Sequence, residues 1–198
     1  MNVTHRPNVH RRKIRTSLMA SVTAVAGLLL ATLVGVNPVD ADQSNLAEVR
    51  QVTAKYHDLD AALADGYQLG YRGIITGCIE HPSDGAMGYH YFNWDLIDEP
   101  GVNPLEPEGL LYIPKPNGKL RFAAVEWVDP EARPGRPGVT SGAVLFDGEL
   151  ELHILNPALG WYIGHAWIWD PNPSGMFSDW NPDVVCPEGS GAPPPTNP

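Results

Sequence analysis

From Gly66 onward, a glycine or a proline interrupts the chain at short intervals, and that spacing excludes long helices. The 198-residue sequence carries 20 of each. Between these breaks lie short apolar runs of the kind that form strands: Gly70–Ile75, Met87–Asn93, Gly109–Ile113, Leu120–Val128, Ser141–Phe146, Glu149–Leu155 and Trp161–Trp169. Asn117-Gly118 suits a hairpin turn between the third and fourth runs, and Asp147-Gly148 suits one between the fifth and sixth. The expected fold is mainly β, an antiparallel barrel or sandwich, with one amphipathic helix in front of it.

That helix is expected over Ser44–Asp65. Asn45 followed by Glu48 resembles a capping box. Leu46, Val49, Val52, Tyr56, Leu59 and Leu63 then recur at helical spacing, and Gly66 is suited to end the run. Ahead of the helix, Arg6, Arg11, Arg12, Lys13 and Arg15 precede an apolar stretch from about Leu18 to Val36. Pro38 and the small-residue triplet Val39-Asp40-Ala41 follow. Basic head, apolar centre and small-residue site together describe a secretory signal cleaved after Ala41. A retained anchor is the competing reading, and Arg11-Arg12 admits a twin-arginine variant. The expected organisation is therefore residues 1–41 as signal, 42–186 as one β-rich domain, and 187–198 as a disordered Pro/Gly-rich tail.

Cleavage would leave eight basic and twenty-two acidic residues, a formal charge near −14. Such a surface repels phosphate backbones and anionic lipid, so neither nucleic acid nor a membrane is expected as a partner. Cys78 and Cys186 are the only cysteines, and an even pair in an exported chain reads as a disulfide. Pairing also removes cysteine from the list of nucleophiles.

Strand alternation singles out a few polar residues. In the last apolar run it places His165 on one face with Trp161, Ile163, Trp167 and Trp169. In Leu120–Val128 it places Glu126 with Phe122, Ala124 and Val128. A carboxylate on an apolar face needs a partner, and the candidates are a metal ion, a histidine, or an arginine such as Arg72 or Arg121. His90 lies in the tyrosine-rich Tyr89-His90-Tyr91, and His81 precedes Pro82 in a glycine loop. Three histidines and one carboxylate on a β scaffold form a ligand set for one divalent transition metal, Zn, Fe, Mn or Cu. His90, His165 and Glu126 are the expected core ligands and His81 the fourth. Each also has a plainer reading, as a satisfied core residue, a turn residue or an ion-pair partner. His57 and His153 read as boundary and surface histidines. Asn172-Pro173-Ser174-Gly175 and Asn181-Pro182 read as turns. No phosphate loop and no Gly-x-Ser-x-Gly elbow occurs, and no spacing selects a glycosidase carboxylate pair.

At these residues the chain resembles a family of uncharacterised secreted bacterial proteins of actinobacterial type. The similarity runs through Asp65-Gly66-Tyr67, Gly88-Tyr89-His90-Tyr91, Leu110-Leu111-Tyr112-Ile113-Pro114, Val125-Glu126-Trp127 and His165-Ala166-Trp167-Ile168-Trp169 with Asn172-Pro173 and Gly175. The run Cys78-Ile79-Glu80-His81-Pro82 matches some members. The resemblance implies one exported domain and marks His90, Glu126 and His165; it implies no activity. The sequence departs at Gly164, where a bulkier residue is expected before the histidine. Two functions follow as expectations: a secreted domain binding a metal or small ligand through the His/Glu cluster, or a non-enzymatic binding protein whose aromatic residues line an apolar pocket. Exposed tryptophans stacking on sugars are a third.

Overall fold

The computed structural model describes residues 38–132, 138–188 and 191–192; the expected signal peptide lies almost entirely outside them. Helix α1 (Pro38–Thr53) runs into one 3-10 turn at Ala54–His57 and is followed by α2 (Leu59–Ala64). The single helix expected over Ser44–Asp65 is therefore broken. Asp58 adopts extended backbone, and its side chain accepts from Asp60 N–H to cap α2. Leu46, Val49 and Tyr56 are buried as the spacing predicts, while the kink leaves Val52 and Leu63 exposed. Gly66 ends the segment with φ +94°, a conformation glycine adopts without cost.

Strands β1 (Tyr67–Leu69), β2 (Cys78–His81), β3 (Gly85–Asn93), β4 (Gly109–Pro114) and β5 (Leu120–Pro130) follow, with a short α3 (Trp94–Asp98) after β3. Then come β6 (Val144–Leu145), β7 (Leu150–Glu151), β8 (His153–Ile154), β9 (Trp161–Ala166) and β10 (Gly191–Ala192). The main sheet is open, in the order β10-β2-β3-β4-β5-β9-β8, with β1 added to β3 and a separate β6–β7 hairpin. All its pairings are antiparallel except β10 with β2. The fold is thus β-rich and sandwich-like, not a closed barrel. Both hairpin turns form as expected: Gly118 has φ +76°, and Asp147 and Gly148 have φ +53° and +103°. The expected strand over Gly70–Ile75 is instead a turn, because Gly70, Arg72, Gly73 and Ile75 all have positive φ. Most of the expected tail falls outside the described residues, but Gly191–Ala192 pair with Cys78 and Ile79.

One face of the sheet packs against the helices, burying Tyr91, Leu110, Tyr112, Val125 and Trp127 with Leu46, Val49 and Tyr56. The other face carries two apolar groups. One contains Met87, Leu111, Ala124, Trp167 and the Cys78–Cys186 disulfide. The second contains Phe92, Val128, Trp161 and Ile163. The disulfide joins residues 108 apart with Cα atoms at 5.7 Å. In the chain-entropy model a loop of that size is worth about 4.7 kcal/mol. It fastens the C-terminal segment beside β2, and Asn181 fastens the same segment to β3 through paired backbone bonds with Ala86. No helix among the described residues is long and apolar enough to cross a membrane.

Candidate metal centre

Three strands carry the site: His90 on β3, Glu126 on β5 and His165 on β9. Register explains their meeting. Glu126 lies directly opposite His165 on one side and Gly109 on the other, and Gly109 lies opposite Phe92. Phe92, Gly109, Glu126 and His165 thus form one row across four strands, and opposed residues point to the same face. His90, two residues before Phe92, shares that face. Gly109 is what lets the carboxylate lie between strands. A Cβ there would stand 3.0 Å from both Cβ and Oε2 of Glu126 and from Cε1 of Phe92.

The ligand atoms converge. His90 Nε2 lies 3.7 Å from Glu126 Oε2, and His165 Nε2 lies 3.6 Å from Glu126 Oε1. One atom from each residue falls within 4.8 Å of both others. The 3.6–3.7 Å separations exceed hydrogen-bond length, about 2.7–3.2 Å. They are close to what one bound ion imposes, since metal bonds of about 2.0–2.2 Å set neighbouring ligand atoms roughly 3–4 Å apart. Glu126 Oε2, His165 Nε2 and His90 Nδ1 are buried and have no hydrogen-bond partner within the structure. Orphaned buried polar atoms are costly and rare, and Glu126 Oε2 and His165 Nε2 both face the space between the ligands, so one group placed there would satisfy both. The group can hold a metal ion.

Electrostatics point the same way. Burial, reinforced by His165, lowers the His90 pKa to about 3, so its imidazole is neutral. Burial raises the Glu126 carboxyl to about 7, against the pull of His165. For His165, burial disfavours the charged form, but Glu126 and Asp179 outweigh it and its pKa rises. The cluster is poised to lose protons to a cation, which demands neutral imidazole and an ionised carboxylate.

Behind His165 stands a residue that sequence reasoning missed. His165 Nδ1 lies 3.0 Å from Asp179 Oδ1, and Asp179 Oδ2 lies 3.0 Å from His153 Nε2. Burial opposes ionisation of Asp179, but hydrogen bonds from His153 and His165 prevail and keep its pKa well below the usual carboxylate range. A proton on Nδ1 directed at Asp179 leaves the Nε2 lone pair facing Glu126. A carboxylate behind a metal-binding histidine is the usual way that tautomer is fixed. The loop holding Asp179 is itself anchored: Trp167 Nε1 donates to Ser178 O at 2.7 Å, and Asn172 Nδ2 donates to Trp180 O at 3.0 Å. The expected turns at Asn172 and Asn181 form, closed by bonds from Gly175 to Asn172 and from Val184 to Asn181. Nothing local in Ser178-Asp179-Trp180 marks the aspartate; only the return of the loop over β9 does.

Other expectations are redistributed. His81 ends β2 outside the three-residue group. Its Nδ1 lies 3.2 Å from Asp84 Oδ2, and its ring packs on Trp180 with centroids 5.1 Å apart. The arginines considered as partners for Glu126 serve elsewhere, Arg72 with Asp98 at 2.8 Å and Arg121 with Asp170 at 2.6 Å. Phe122 does not share the Glu126 face. A register shift beside Leu111 pairs Tyr112 with Phe122 and skips Ala123, which turns Phe122 to the helix side. Trp169 also leaves the expected face, because β9 stops at Ala166. Its ring meets His57 and Phe122, with centroids at 4.4 and 6.1 Å. His153 is half-exposed but holds Asp179, so it is not an idle surface histidine. Gly164, where the sequence departs from the family it resembles, packs against Leu150: a Cβ there would meet the Leu150 side chain at 2.9–3.1 Å, so that side chain would have to shift.

His90 and Glu126 also line a cavity of about 290 Å³, walled mainly by apolar residues, among them Met87, Phe92, Trp161 and Ile163. His81, Asn156 and Trp180 complete its lining. Two of the three ligands therefore border a space large enough for a small molecule, while His165 lies behind them. No family model, curated protein or solved structure matches this chain.

Proposed function

We propose that this is an exported metal-binding domain in which His90, His165 and Glu126 hold one divalent first-row ion. The carrying observation is the convergence of three buried ligand atoms, with no hydrogen bond among them, beside an open cavity. Two imidazoles and one carboxylate suit Zn or Fe(II), while Mn and Cu accept the same donors less selectively. With only three protein ligands, a coordination position remains for water or a small molecule, the arrangement of catalytic rather than structural sites. The disulfide and the basic-apolar-small leader support an extracellular location.

The plainer reading, in which each polar group is satisfied by its own neighbour, loses support from the orphaned atoms. Elemental analysis of tag-free secreted protein tests the proposal. One equivalent of a transition metal is expected in wild type, falling to trace levels in His90→Ala and His165→Ala. Wild type that stays metal-free after reconstitution with Zn, Fe, Mn and Cu would end the reading.

A further inference from the structure

Resting on that metal reading, the cavity's lining specifies what approaches the ion. A volume of about 290 Å³ lies at the lower edge of small-molecule sites. Two neutral imidazoles, one carboxylate and a divalent cation sum to one net positive charge. Glu126 is the only carboxylate among the cavity's lining residues; Asp179 stands behind His165 and is shared with His153. The Asp179 charge lies outside the cavity and is divided between His165 and His153, so within the apolar cavity Glu126 alone offsets the ion, and the open position favours a single anionic oxygen. The wall sets the body of that ligand. Phe92 and Trp161 meet edge to face with centroids 5.6 Å apart, and Trp180 supplies a further indole. Such surfaces suit a flat ring. Asn156 contributes one more feature. Its Oδ1 accepts from Ala158 N–H at 3.0 Å, while its buried Nδ2 has no partner and belongs to the cavity lining. It is a spare donor for a second ligand oxygen.

We propose that the metal-loaded cavity binds a small aromatic carboxylate, one oxygen on the ion and the ring against Phe92, Trp161 and Trp180. The ligand's class is read from charge, volume and wall chemistry together, and no single one would select it.

Calorimetric titration of zinc-loaded mature protein with benzoate tests this, with acetate and benzyl alcohol as comparators. Benzoate is expected to bind at least tenfold tighter than either, and at least tenfold tighter than to metal-free protein. Asn156→Asp keeps the acceptor for Ala158 but places a negative charge in the cavity. Leu155→Trp, at an exposed position on the cavity wall, adds bulk that occupies the space the ligand would fill. Both should retain one equivalent of zinc and lose benzoate binding at least tenfold. Equal affinity for acetate removes the ring from the proposal and overturns it, and equal affinity for benzyl alcohol removes the anion and does the same. Zinc-loaded protein that ignores benzoate refutes the ligand class while leaving the metal site standing. Protein that takes no metal removes both.

Discussion

Asp179→Asn isolates what the carboxylate behind His165 contributes. The substitution preserves volume and one carbonyl oxygen, so contacts with His153 and His165, each 3.0 Å away, remain sterically possible. What is lost is the negative charge that stabilises a donating Nδ1–H and increases the basicity of Nε2. Removing such a partner from a metal-bound histidine costs about 10–100-fold in metal affinity, or about 1.4–2.7 kcal/mol. The upper half of that range is expected here, because His165 is fully buried and no water replaces the lost partner. Competition with a chromophoric chelator, at fixed pH, measures the zinc dissociation constant directly. His153→Gln provides the internal control. It leaves Asp179 against His165 and removes only the outer contact of a half-exposed ring, so its loss should stay below about fivefold, in keeping with the small worth of exposed charge pairs. The reasoning fails if Asp179→Asn binds zinc within twofold of wild type, or if His153→Gln costs as much as Asp179→Asn.

Two further perturbations test the scaffold. Burial raises the Glu108 carboxyl to about 8, although Val128 N–H donates to its Oε2 at 3.0 Å. The folded state therefore holds this proton more tightly than the unfolded chain, whose value is near 4.5, and stability from this group declines as pH climbs between the two. Relative to metal-free wild type, Glu108→Gln should gain up to about 1.4 kcal/mol per pH unit across that window, measured by urea unfolding; a pH-independent difference would contradict it. Gly164→Val adds a Cβ and two methyls toward Leu150 and should lower stability by about 1–3 kcal/mol. An unchanged urea midpoint would show that Leu150 simply moves aside.

How much of the molecule could be read beforehand follows from which forces are local. Alternation within one strand is local, and it placed Glu126 and His165 on apolar faces that the structure buries; His90, singled out by its tyrosine neighbours, is buried with them. The two turn dipeptides are also local, because positive φ is written into Asn-Gly and Asp-Gly. The misreadings occur where a neighbour intervenes. Phe122 changes face because one residue of β5 is left unpaired opposite β4, and no property of Leu120–Val128 announces that shift. Trp169 turns away because β9 ends at Ala166, after which Trp167 N–H bonds to Met176 and both Trp169 and Asp170 N–H bond to Ala123. The helix breaks at Asp58 because that aspartate caps a new turn more favourably than it continues the old one.

The site repeats that division and explains it. The three ligands are legible because a charged or imidazole group on an apolar strand incurs a desolvation cost that must be offset somewhere, and the cost is a property of the residue and its own strand. The offset is not local. Gly109, which clears the space for the Glu126 carboxylate, reads in sequence as a strand start, and its role exists only because β4 lies between β3 and β5. Asp179 reads as one more acidic residue in an acidic chain until Asn172, Trp167 and the Cys78–Cys186 disulfide fasten its segment across the sheet. A buried polar residue therefore predicts that a compensating group exists, but the identity of that group is set by topology. For this chain the compensation is incomplete within the protein itself, with Glu126 Oε2 and His165 Nε2 still unpartnered, and that remainder is the physical ground for placing a cation between them.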